Sequence, residues 1–128
     1  MSARKEPDPR LLLARSVREA DLQANVLALA RALGYRRVHF RPAQDRRGRW
    51  ATHQAGDAGF PDTVLARPGR LIFAELKSIG GRLAPEQDEW LRVLKAAGVE
   101  AYVWDPRHWL SGEIERTLTG TPPLFAQA

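Results

Sequence analysis

The sequence contains no cysteine, which excludes disulfides, zinc–thiolate centres and a thiol nucleophile and leaves oxygen and imidazole as its metal ligands. Lysine is nearly missing too, Lys5, Lys77 and Lys95 being all there are, so arginine carries almost the whole net charge of +5. The planar guanidinium suits bidentate contact with phosphate, and that charge with a pI near 10.4 favours an anionic partner. No apolar run approaches the roughly 20 residues that cross a bilayer, and Leu11-Leu12-Leu13 is too short for the apolar stretch of a signal peptide. The chain is therefore expected to stay in the cytoplasm and off membranes. No internal repeat is visible. What is there, 44% hydrophobic and 27% charged residues in 128, is the composition of one globular domain with a real core.

Residues 1–15, with Pro7, Pro9 and mixed charge, read as a flexible N-terminal arm, residues 16–118 as the domain, and residues 119–128 as a disordered tail. Ser16-Val17-Arg18-Glu19 fits a capping box, and Leu22, Val26, Leu29 and Leu33 recur at helical spacing until Gly34 closes the helix. Glu19 and Gln23 flank that stripe, placed to face a site beside a sheet. Tyr35 to Arg41 alternates as a strand, with Val38 and Phe40 on one face and Arg37, His39 and Arg41 on the other. Pro42 to Pro61 has no sustained period. In it, Arg46, Arg47 and Arg49 are candidate phosphate contacts and Trp50 and His53 are rings for an unstacked base, against the plainer reading of a solvated loop with one Trp on the core. After the central hairpin, Pro85 starts a helix whose buried stripe is Trp90, Leu91, Leu94 and Ala97. Val99 to Trp104 reads as an interior strand and Pro106 to Leu118 as a last helix.

The hairpin carries the chemistry. Two apolar runs, Thr63 to Arg67 and Arg70 to Leu76, are joined by Pro68-Gly69, and a turn there sets Arg67 opposite Arg70 and Asp62 opposite Glu75. Glu75 and Lys77 share a face because strand side chains alternate. Opposed acids roughly 4.5–5.5 Å apart at Cβ repel, and a divalent hard cation such as Mg²⁺ relieves that repulsion with one or two carboxylates plus water and phosphate. Lys77 then lies where it orients the nucleophilic water or stabilises charge on a phosphate in transfer. Read from spacing alone, the same residues also suit the solvated end of a hairpin with a lysine for balance. Gln87 and Arg82 lie near the N-terminus of the following helix, an end that favours a phosphate, while Gln87 is equally a first-turn residue bonded to its own helix end.

Gly59-Phe60-Pro61-Asp62, then Phe73-Ala74-Glu75-Leu76-Lys77, then Gly81-Arg82-Leu83 and Pro85-Glu86-Gln87 with Trp90-Leu91 resembles the VRR-NUC family of the PD-(D/E)xK nuclease superfamily, over roughly Glu19 to Trp109. The resemblance implies an α/β protein with the restriction-endonuclease-like αβββαβ core, a central mixed sheet flanked by helices. It implies a metal-dependent DNA endonuclease in which Asp62, Glu75 and the Leu76 carbonyl bind Mg²⁺ or Mn²⁺ and Lys77 positions water for in-line attack on a phosphodiester. Gln87 matches the family's glutamine. Glu19 matches a first-helix glutamate that joins the metal, which competes with its capping role. His39 reads first as an ordinary polar-face or rim histidine of its strand, although family members often have a histidine near this place that approaches the site. Stand-alone members suggest a homodimer acting on branched DNA, a Holliday junction or flap, of phage-like origin in a bacterial or phage-infected cell. The alternatives are a restriction or repair nuclease on linear DNA and a non-catalytic nucleic-acid-binding module.

Overall fold

The computed structural model describes residues 6–40, 43–44, 50–51 and 55–122, the second and third of these stretches by backbone alone. Helices α1 (Pro9–Ser16) and α2 (Glu19–Ala32) precede β1 (Arg36–His39), β2 (Ala43–Gln44), β3 (Trp50–Ala51), β4 (Thr63–Arg67) and β5 (Arg70–Leu76). Then come α3 (Pro85–Ala96), β6 (Glu100–Trp104), α4 (Pro106–Leu110) and α5 (Glu113–Thr119). One sheet has the order β1-β4-β5-β6, antiparallel through β5 and parallel between β5 and β6. The parallel step follows from α3, which carries the chain back to the start of the sheet. Read as α2-β1-β4-β5-α3-β6, the chain has the restriction-endonuclease-like αβββαβ core with a mixed sheet. β2 and β3 pair as a separate ribbon.

Pro68 and Gly69 make the turn between β4 and β5. Gly69 has φ 81°, which suits the second central position of a type II turn with proline before it. Arg67 therefore pairs with Arg70, and the ladder runs to Thr63 opposite Ala74. One residue further on, the Asp62 N–H donates to Glu75 Oε2 at 3.1 Å, so the expected register holds to the site.

The α2 face of the sheet forms the main core, in which Leu22, Val26 and Ala30 meet Leu65, Ile72, Ala74, Leu76, Trp104, Ile114 and Leu118. Against the opposite face the Phe60 ring packs edge-on to Phe40, Phe73 and Trp90 of α3. The alternation read in β1 is present, but its apolar side is the open one: Val38 is 48% and Phe40 45% exposed. Arg37 instead turns toward α2 and donates to the Leu27 carbonyl.

Several elements differ from the expectations. The N-terminal arm contains α1, because Asp8 caps it by accepting from Arg10 N, Pro9 sits at the first helical position where no N–H is missed, and Ala14 is fully buried. Ser16 ends α1, its hydroxyl donating to the Leu13 carbonyl, so the Ser16–Glu19 capping box does not form; Asp21 accepts from Arg18 N at the start of α2 instead. β6 lies at a sheet edge rather than in its interior, although Ala101 and Trp104 are buried. The last helix is two, broken at Gly112 with φ 82°. The first residues of the expected tail are tied down: Thr119 closes α5, and Arg70, itself paired with buried Glu100, donates to the Gly120 carbonyl. Residues 123–128 lie outside the described residues.

Candidate active site

Gly59 begins the site because nothing larger fits. Its φ is 95°, and a Cβ there would lie 2.5 Å from the Glu86 carbonyl carbon and 2.7 Å from Gln87 N, so the chain before β4 presses its backbone onto the first turn of α3. Phe60 fixes this contact through its three ring partners, and Pro61 is fully buried. Asp62 and Gln87 are thereby brought over Glu75 from two different elements. The Asp62 carboxylate accepts from Leu76 N, at 3.2 Å to Oδ1 and 3.3 Å to Oδ2, and from the Thr63 hydroxyl at 2.9 Å.

Glu75 is 4% exposed and held at both oxygens. Oε2 accepts from Asp62 N and Oε1 from Gln87 Nε2 at 2.8 Å. Lys77 Nζ stands 3.6 Å from Oε1, on the face shared with Glu75 as the alternation requires. Burial, and then the charge of Glu75, pushes Asp62 up to about 7. Burial also raises Glu75, while the Asp62 N–H and then the Lys77 charge pull it back down. Two adjoining acids that resist joint ionisation, beside a partly buried cation, mark this cluster as a candidate functional site.

Gln87 plays both parts read for it: its Oε1 accepts from Ala84 N at the helix start while its Nε2 holds Glu75. Glu19, outside any capping box, is exposed at the start of α2, and its charge is the smallest of the influences that raise Asp62 and Glu75. Gln23, one turn on, is buried. Leu76 enters the site through its N–H to Asp62, and Arg82 is exposed on the connection between β5 and α3. Arg46, Arg47, Arg49 and His53 lie outside the described residues. The Trp50 backbone pairs with Gln44 in the β2–β3 ribbon, and its ring is outside them as well.

Sequence reasoning missed Thr63 and gave His39 little weight. His39 Nδ1 lies 3.1 Å from Thr63 Oγ1, which in turn donates to Asp62 Oδ1. The available signal was a hydroxyl at the core-facing start of a strand that continues with three apolar residues, Val64, Leu65 and Ala66.

A family model, the VRR-NUC domain, matches residues 6–107. Neither a curated protein nor a solved structure shows a significant match to the chain.

Proposed function

Because the chain belongs to the VRR-NUC family, and so is a nuclease domain of the PD-(D/E)xK type with DNA as its substrate, we propose that Asp62, Glu75, Lys77 and Gln87 form its catalytic centre and that the centre works with Mg²⁺ or Mn²⁺ on branched DNA. The convergence of buried Glu75 and half-buried Asp62 beside Lys77 carries this reading. Opposed carboxylates repel a phosphate unless a cation lies between them, and a pure binding module has no use for such a pair.

The donors fit a hard divalent ion. Asp62 Oδ2 and Glu75 Oε2 each keep a lone pair beyond the single donor each has among the described residues, where no group of three or more acidic, imidazole or thiol side chains converges. A site of two carboxylates and a backbone carbonyl, completed by water and substrate phosphate, is one that Mg²⁺ accepts. Asp62, Glu75 and the Leu76 carbonyl would hold the ion, with Glu19, whose charge is felt at both acids, as the further candidate ligand. When bound, the ion supplies Lewis-acid polarisation of the phosphate and a more acidic water.

The protein's own groups do the remainder. Gln87 locks Glu75 through one amide hydrogen bond and α3 through another, so the acid keeps its rotamer when the substrate arrives. Lys77 holds a water in line with the scissile phosphorus and offsets charge that develops on the phosphoryl oxygens. The cleft of about 520 Å³ beside Trp90 is lined by Asp57, Glu86 and Glu89, and those carboxylates turn phosphate away from that side of α3. The backbone of the DNA is better received by Arg82 and by Arg46, Arg47 and Arg49. A homodimer would supply two such centres and cut two strands at a junction.

The test is incubation of the purified chain with labelled four-way junction, flap, duplex and single strand, each with Mg²⁺, Mn²⁺ or EDTA. Cleavage of junction or flap with either ion and none in EDTA is expected. Preferential cutting of linear duplex would instead assign a restriction or repair role, and binding without cutting would assign a non-catalytic module.

A further inference from the structure

Thr63 is fully buried on the core-facing side of β4, opposite Ala74, where a hydroxyl is unfavourable unless it is hydrogen-bonded. A valine would fill the same volume. What the hydroxyl does instead is join two other residues: Oγ1 lies 2.9 Å from Asp62 Oδ1 and 3.1 Å from Nδ1 of His39, which faces Thr63 across the β1–β4 pairing. A hydroxyl has one proton to give. An ionised Asp62 only accepts, so that proton goes to Oδ1 and His39 Nδ1 must carry a hydrogen and donate it to Oγ1. The tautomer of His39 follows from the charge state of Asp62 that binds a cation.

The two oxygens of Asp62 are then unequal. Among the described residues, Oδ1 receives the Thr63 hydroxyl and a share of Leu76 N–H, whereas Oδ2 receives only the other share, at the longer distance of 3.3 Å. We infer that Thr63 and His39 are positioning residues which hold Asp62 by Oδ1 and present Oδ2 to the catalytic ion. The inference rests on the metal reading above. Removing such outer partners of a metal ligand typically lowers metal affinity about 10- to 100-fold.

Calorimetric titration with Mn²⁺, without DNA, tests it on the whole chain. Thr63→Val should bind Mn²⁺ at least about tenfold more weakly, and Thr63→Ser, which keeps the hydroxyl, should restore near wild-type affinity. His39→Asn retains an N–H donor and should bind more tightly than His39→Leu, which has none. Wild-type affinity in Thr63→Val overturns the inference. Should that variant not fold, equal affinity of His39→Asn and His39→Leu overturns it. Asp62→Ala separates the levels: if it loses Mn²⁺ while Thr63→Val keeps it, the relay alone is wrong. If the wild type takes up no Mn²⁺, or Asp62→Ala binds it unchanged, the metal centre itself falls and the relay with it.

Discussion

Asp62 holds its proton unusually hard, and the direction of that shift has a measurable consequence. Its folded value of about 7 lies above the ordinary 3.8, so between those limits the folded chain binds a proton that the unfolded chain has released, and stability falls as pH rises through that window. The metal-free protein should therefore melt at a lower temperature at about pH 8 than at about pH 5. Asp62→Asn should flatten this slope, and an unchanged slope in that variant would assign it elsewhere. Acids shifted the other way, such as Asp105 paired with Arg107, act only as pH falls toward the unfolded value and do not enter this range. Lys77 makes a separate prediction. Its ammonium lies 3.6 Å from Glu75, outside direct hydrogen bonding, so Lys77→Ala should leave Mn²⁺ affinity near wild type while turnover falls about 100-fold. Loss of metal affinity with unchanged chemistry per bound ion would contradict that role. These residues were legible because a turn and a strand alternation are local properties. The link between Thr63 and His39 was not, because it depends on which strand β1 pairs with, and that is settled by packing on α2 rather than by anything within either strand.

Among the elements, the contact between the chain before β4 and the first turn of α3 is the joint on which the site depends. Gly59 has both a left-handed φ and no room for a Cβ against Glu86, so Gly59→Ala should destabilise the fold by about 1–3 kcal/mol. It should also reduce cleavage beyond what the stability loss explains, because moving α3 breaks the Gln87–Glu75 bond. Urea unfolding alongside kinetics measures both, and a neutral effect on each would mean that α3 is not held through this glycine. The hairpin, α2 and α3 could be read from Pro68-Gly69, the 22-26-29-33 stripe and Pro85. α1 was obscured by its own start signal, since Pro9 after Pro7 reads as a breaker until Asp8 is seen capping Arg10. The start of α2 was misplaced because Ser16 can finish one helix or begin the next, and burial of Ala14 decides for the first. β6 was read as interior from its apolar composition. The burial there comes from helices packed on its faces and not from strands on both sides.

For the whole molecule the question is how an arginine-rich chain of net charge +5 brings DNA to a pair of acids. Neutralising Arg46, Arg47 and Arg49 together should weaken binding to every DNA form and lower the salt slope by about 0.9 for each phosphate that the protein no longer neutralises. Binding in Ca²⁺ over a salt series gives the slope, and an unaltered one would place the DNA path elsewhere. The fold as a whole was legible because the αβββαβ order leaves few topologies once α3 is recognised as a crossover, whereas the preferred DNA structure depends on surfaces that no local pattern encodes. The central claim is that Asp62 and Glu75 together form the cation-dependent cutting centre, and its most direct test is cleavage of labelled junction and flap DNA in Mg²⁺ by wild type, Asp62→Ala and Glu75→Ala, all verified as folded. Cutting by the wild type that EDTA abolishes and that both variants lack is expected. Full activity in either variant, or cutting by the wild type that persists in EDTA, would contradict it.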